Sequence, residues 1–230
     1  MFSKSSLHRV RRLIRGLSAL IVVTGAAPSA FAQAFNYPSL QLPTASTRDY
    51  TAALTGGAGT TVLFQWREGW GARRHVQLDL GIADRKGSEK LLLLVGGSYG
   101  RELVRANGEQ PLDMLFTVGA GAAFGSGVTL LRVPVGISIG HTFDVDSGMS
   151  ITPYVHPRLS FDVCSSCGAR NKSRSELSLN FDLGANFQVN REFALRVAGS
   201  FSGSDLLGTE DTFAVGFNWT PRPLVRTRNP

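Results

Sequence analysis

Beyond its first 32 residues this chain has no apolar run near the roughly 20 residues that a membrane-spanning helix needs, so a helical membrane protein is excluded. Amphipathic helical periodicity is equally scarce. Cysteine appears only twice, at Cys164 and Cys167, and a zinc site would need two further ligands that the sequence does not place beside them. Charge of one sign is missing too, once the two ends are set aside. The formal net charge is +7, but Lys4, Arg9, Arg11, Arg12 and Arg15 lie in residues 1–32 with no acidic residue, and Arg222, Arg226 and Arg228 follow Trp219. Residues 33–219 carry 16 basic against 17 acidic side chains. Nucleic-acid binding is therefore not implied.

What is present begins with an export signal. The five basic residues form a positive n-region, Leu17 to Ala27 an apolar h-region, and Ala30-Phe31-Ala32 a small-x-small cleavage site before Gln33. About 200 residues remain, which suits one domain. Residues 33–48, with two prolines and little pattern, read as a flexible lead-in. Residues 49–219 read as the domain proper, and 220–230 as a short basic tail.

Within 49–219 large apolar and small polar residues alternate with period 2, the mark of strands. Candidate strands fall at 49–55, 59–67, 73–83, 90–100, 113–124, 127–142, 149–163, 175–189, 192–202 and 211–219. Turn formers such as Gly56-Gly57, Asn107-Gly108 and Asp146-Ser147-Gly148 separate them. The expected class is all-β: an antiparallel up-and-down transmembrane β-barrel of eight to ten strands, with ten preferred. The even number suits bacterial barrels, and it depends on residues 49–55 being a strand of their own.

The facing of each strand gives the lumen. Leu177, Leu179, Phe181 and Leu183 alternate with Ser178, Asn180, Asp182 and Gly184, and neighbouring strands repeat the scheme. Charge always falls opposite the apolar row, and charge in hydrocarbon is costly, so the charged face is the inner one. Arg67, Asp79, Arg132, His156, Arg158, Asp162, Asp182 and Arg196 are thereby expected in a lumen network of mixed sign. That network is read first as ion pairs plugging a narrow barrel, and second as the selective constriction of a small pore.

The last strand is the most telling. Phe213, Val215, Phe217 and Trp219 share one face; Thr212, Ala214, Gly216 and Asn218 share the other. With the export signal, this pattern resembles the small outer-membrane β-barrels of OmpA/OmpX type. The resemblance implies a place in the bacterial outer membrane among its lipids. It also implies that the barrel assembly machinery reads Phe213, Val215, Phe217 and Trp219, with Trp219 as the terminal aromatic. Thr220 to Pro230 extend past the point where many such proteins stop.

Other functions receive less support. A soluble periplasmic barrel of lipocalin-like design, with an apolar ligand inside, would need the facing inverted. His156, Ser160 and Asp162 bring three catalytic residue types to one strand face, yet four residues of strand span roughly 13 Å, too far for contact. No catalytic site, metal or cofactor is expected. Cys164-Ser165-Ser166-Cys167 falls in an expected outer loop at 163–174, where oxidising conditions after export favour a disulfide over a redox pair. Mass spectrometry of protein taken from the envelope without reductant should find both thiols blocked, and free thiols would contradict the pairing.

Overall fold

A computed structural model describes residues 37–57, 59–85, 91–125, 128–146, 148–165, 173–204 and 211–221. The expected signal at 1–32, the cysteine Cys167 and most of the basic tail lie outside the described residues. Strands form where the period-2 pattern runs: β1 (Arg48–Gly56), β2 (Gly59–Gly69), β3 (Arg74–Arg85), β4 (Leu92–Val104), β5 (Asp113–Gly125) and β6 (Val128–Gly140). A short β7 (Phe143–Asp146) follows, then β8 (Met149–Ser165), β9 (Arg174–Gln188), β10 (Phe193–Ser202) and β11 (Thr212–Trp219).

Sequence neighbours pair antiparallel from β1 to β6 and from β7 to β11, and the first strand pairs with the last. The pairing of β6 with β8 completes the ring. Because β6 and β7 succeed one another along β8, the wall counts ten strands. The doubtful segment at 49–55 is indeed the strand that closes the barrel: Tyr50 pairs with Trp219 on one side and Trp66 on the other. Closure leaves no edge, so each strand's backbone polar groups find partners inside the wall, as a bilayer demands.

Two connections differ from expectation. Residues 143–148 were expected as a turn, but β7 lengthens that hairpin and confines the turn to the residues before Met149. The long connection expected at 101–112 is shorter because β4 continues to Val104, and what remains is a built turn. The Asn107 side chain accepts from the Glu109 and Gln110 amides at 2.9 and 2.8 Å, and Asp113 accepts from the Ala106 amide at 2.8 Å.

The wall is apolar outside and polar inside. On β9, Leu177, Leu179 and Leu183 are 64, 66 and 52 % exposed, while Ser178, Asn180 and Asp182 between them are buried. Aromatic residues gather at the rim where β1 begins and β11 ends. Tyr50 stacks on Trp219 at 5.5 Å, Phe193 on Phe217 at 5.5 Å, and Trp70 meets Tyr99 edge-on at 6.3 Å. Such a band is the usual anchor at a membrane–water boundary.

The largest departure lies inside. Residues 33–48 were expected as a flexible lead-in, yet residues 37–47 run through the lumen. Tyr37 packs against an apolar cluster near the far rim that includes Ala83, Leu92, Leu94, Ala123 and Leu130. Leu40 is fully buried among Ala53, Leu63, Tyr154, Ala198 and Ala214, which come from five different strands. The segment ends at the near rim, where the Thr47 carbonyl accepts from the Gly69 amide at 2.6 Å.

An arginine on the outer face should test the facing. Leu179→Arg should lower the free energy of folding into lipid vesicles by about 2–4 kcal/mol, and Val189→Arg, outside the strands at the near rim, by no more than about 1 kcal/mol. Denaturant titrations of the two variants in the same vesicles make the comparison.

Candidate functional site

All eight residues expected in the lumen network are inward and at most 8 % exposed. They do not form one cluster. They stand in separate groups along the barrel, each built around an aspartate.

Near the rim where β1 begins, Asp49 takes Arg67 at 3.3 Å and Arg196 at 3.5 Å, and accepts from the Asn218 amide at 3.0 Å. Toward the opposite rim, Arg132 grips Asp162 with two bonds of 2.7 and 3.0 Å, and Ser178 donates to the same carboxylate at 2.8 Å. This fork geometry is the strong form of a guanidinium–carboxylate contact. The register places the pair directly opposite one another on β6 and β8.

The middle group joins wall and segment. Arg158 donates to Asp182 Oδ1 at 2.6 Å. Asp182 Oδ2 accepts from the Ser39 amide at 3.0 Å and from the Ser39 hydroxyl at 2.7 Å. His156 Nδ1 lies 2.7 Å from the Ser39 oxygen, and its Nε2 lies 2.9 Å from the Thr117 hydroxyl. One proton arrangement satisfies every contact: Thr117 donates to Nε2, Nδ1–H donates to Ser39, and Ser39 donates to Asp182. The imidazole is thus a link in a chain of hydrogen bonds from Thr117 to Asp182. Gly136 makes the fit possible, since a Cβ there would stand 2.8 Å from both His156 Nε2 and Arg158 Cγ.

Asp79 is different. Its carboxylate accepts from Gln77 at 2.7 Å and from the Tyr37 phenol at 3.5 Å, and it makes no ion pair among the described residues. It faces a cavity of about 70 Å³, whose other walls include Arg132, Arg158, Thr117 and the backbone at Gly97 and Gly119. One water needs about 10–15 Å³ by this measure, so the cavity has room for a few waters and none for a sugar-sized solute.

Reasoning from sequence missed two participants. Asp49 lies at the start of the strand on which the count of ten depends, although its alternation with Tyr50 and Ala52 was there to place it inward. Ser39 carries no such signal, because nothing in an aperiodic Pro-Ser-Leu-Gln segment says that it enters a barrel. Cys164 also departs from expectation. It lies on β8, not in a loop, and is fully buried in the apolar cluster near the far rim. Cys167 lies outside the described residues. Phe213, Val215, Phe217 and Trp219 are 55, 39, 54 and 42 % exposed on the outer face of β11.

No family model matches the chain, and no curated protein matches it in sequence. Among solved structures it is similar to a bacterial polysaccharide outer membrane secretin (TM-score 0.47, 9 % identity, 71 % of this chain and 57 % of that one). The chain thus spans little more than half the length of that protein. It is also similar to the KdgM porin (TM-score 0.41, 7 % identity, 76 and 99 % covered). A third likeness is to the translocator domain of the autotransporter NalP from Neisseria meningitidis (TM-score 0.37, 13 % identity, 96 and 99 % covered). At these scores the class rests on the molecule's own geometry. A closed ten-stranded wall with an apolar exterior and charged interior is a β-barrel of the outer-membrane type.

Removing one partner of a buried ion pair leaves an uncompensated charge. Asp182→Ala should therefore lower unfolding stability by about 3–5 kcal/mol, by stranding Arg158. Asp79→Asn, which strands no cation, should cost distinctly less. Urea titration of both refolded variants in one detergent gives the comparison.

Proposed function

We propose that this protein is an outer-membrane barrel with a largely plugged lumen, serving a structural or small-solute role and not that of an open channel. The observation that carries the reading is Leu40, on a segment inside the barrel and 0 % exposed among residues of five strands. Interiors of about eight strands are filled by wall side chains alone. Ten strands enclose more space, and here residues 37–47 occupy it. The four inward arginines (Arg67, Arg132, Arg158, Arg196) each lie against an inward aspartate, Asp49, Asp162 or Asp182. That pairing suits a neutralised interior better than a ring of one sign.

In this reading the signal at 1–32 directs export, outer-membrane lipid surrounds the apolar face, and the assembly machinery recognises Phe213, Val215, Phe217 and Trp219. Kinship with small barrels of OmpA/OmpX type is supported by that terminal strand alone. Both termini of the wall lie at the aromatic rim, which would face the periplasm, leaving the connections 86–91, 166–173 and 203–211 outside. The inverted facing that a soluble ligand-binding barrel needs finds no support in an exterior carrying Leu177, Leu179 and Phe213. A narrow pore has one observation in its favour, the cavity between Asp79, Arg132 and Arg158.

Planar-bilayer recording of the purified full-length protein separates the two readings. Conductance should be absent or very small. Stable openings with an ion selectivity that changes on Arg158→Ala would contradict the plug and establish the pore.

A further inference from the structure

Six wall side chains hydrogen-bond the backbone of residues 37–47. Arg67 on β2 donates to the Leu40 carbonyl at 2.9 Å, and Gln65 on the same strand donates to the Ser39 carbonyl at 3.2 Å. Ser138 on β6 donates to the Gln41 carbonyl at 2.7 Å. Segment amides are taken in turn: Ser39 by Asp182 on β9 at 3.0 Å, Ala45 by Glu102 on β4 at 2.9 Å, and Ser46 by His75 on β3 at 3.2 Å. Five strands thus present donors to carbonyls and acceptors to amides along one path through the lumen. A wall built only to pair its own charges has no reason to arrange them this way.

Selectivity is added at two positions. Leu40 fills an apolar socket of Ala53, Leu63, Tyr154, Ala198 and Ala214, and Gly216 stands close enough that a Cβ there would touch Leu40 Cδ1 at 3.4 Å. The Ser39 hydroxyl bridges Asp182 and His156. Leu40 also adopts φ 50°, a left-handed conformation that disfavours residues other than glycine. It is held there by the socket on its side chain and the guanidinium on its carbonyl. Backbone pairing for affinity with side-chain sockets for specificity is how extended peptides are recognised.

We infer that the lumen is a peptide-binding channel, which residues 37–47 fill in cis and which an unlinked peptide of the same chemistry fills in trans. This rests on the closed-lumen reading above. The ligand class is a short aperiodic peptide with a left-handed turn at a leucine that follows a hydroxyl residue, read mainly through its backbone. A preformed wall pays little to accept it, because the donors and acceptors are already fixed on strands.

Thr47 and Arg48 are both exposed at the rim, so a protease site inserted between them can be cut in the folded full-length barrel. The test uses that protein with Leu40→Asp in its own segment, which weakens the resident peptide. Losing a buried leucine should weaken binding about 10- to 100-fold. After cutting, a fluorescent peptide of residues 37–47 should be taken up saturably. The same peptide carrying Leu40→Asp should bind about 10- to 100-fold more weakly. No saturable uptake, or equal uptake of both peptides, overturns the inference. If the Leu40→Asp chain does not fold, it is refolded with the wild-type peptide present: recovery of a heat-modifiable folded band supports the channel, and no recovery overturns it. Conductance of the uncut wild-type barrel would sink the closed-lumen reading itself. Failed uptake by a barrel that is closed when intact sinks the peptide channel alone.

Discussion

The Asp182 carboxylate ties the molecule together. It receives Arg158 from the wall at 2.6 Å and both the amide and hydroxyl of Ser39 from the lumen segment. An arginine enclosed in a narrow interior, with hydrocarbon beyond the wall, has to find a carboxylate there, because solvation by bulk water is lost. That requirement brings Asp182 to the inner face of β9, directly opposite His156 and one inward position along β8 from Arg158. Its other oxygen, Oδ2, takes two donors from the segment, the Ser39 amide and hydroxyl. The same rule makes the other groups: Asp49 between two arginines, and Asp162 in the fork of Arg132.

Width decides the rest. A ten-stranded wall encloses more volume than its own side chains fill, and an empty interior would forfeit dispersion contacts along every inner face. The chain meets that need in two ways. Tyr154 lies over the neighbouring strand β9, in the space left by its register partner Gly184, where a Cβ would come within 2.5 Å of its ring. Leu40, Pro38 and Pro43 of the lumen segment are buried as well. Inward glycines on β6, β9 and β11 are therefore room for a neighbour. The glycines of β4 and β5, around Gly97 and Gly119, line the cavity beside Asp79.

The wall was largely legible in the sequence because its physics is local. Alternation with period 2 fixes which of Leu179 and Asn180 faces lipid, and no tertiary knowledge is needed to read it. Strand ends were less legible: β4 runs four residues past Gly100 because Glu102 still points inward to bonds with Arg73, Arg105 and Ala45, contacts that no strand propensity encodes. The lumen segment could not be read at all. Its residues have no periodicity, and what places them is a set of partners on β2, β3, β4, β6 and β9 up to 143 positions away in the chain. Asp49 fell between the two cases, alternating correctly on a strand too short to be trusted alone.

The central claim is that residues 37–47 occupy the barrel's interior. Methyl-labelled protein in detergent micelles tests it most directly, through nuclear Overhauser contacts of the Leu40 methyls. Cross-peaks from Leu40 to Ala53 and Ala198 are the result this account predicts, since those alanines lie on β1 and β10, on either side of β11. Sharp Leu40 methyl signals at random-coil shifts, with no contact to any wall alanine, would contradict it.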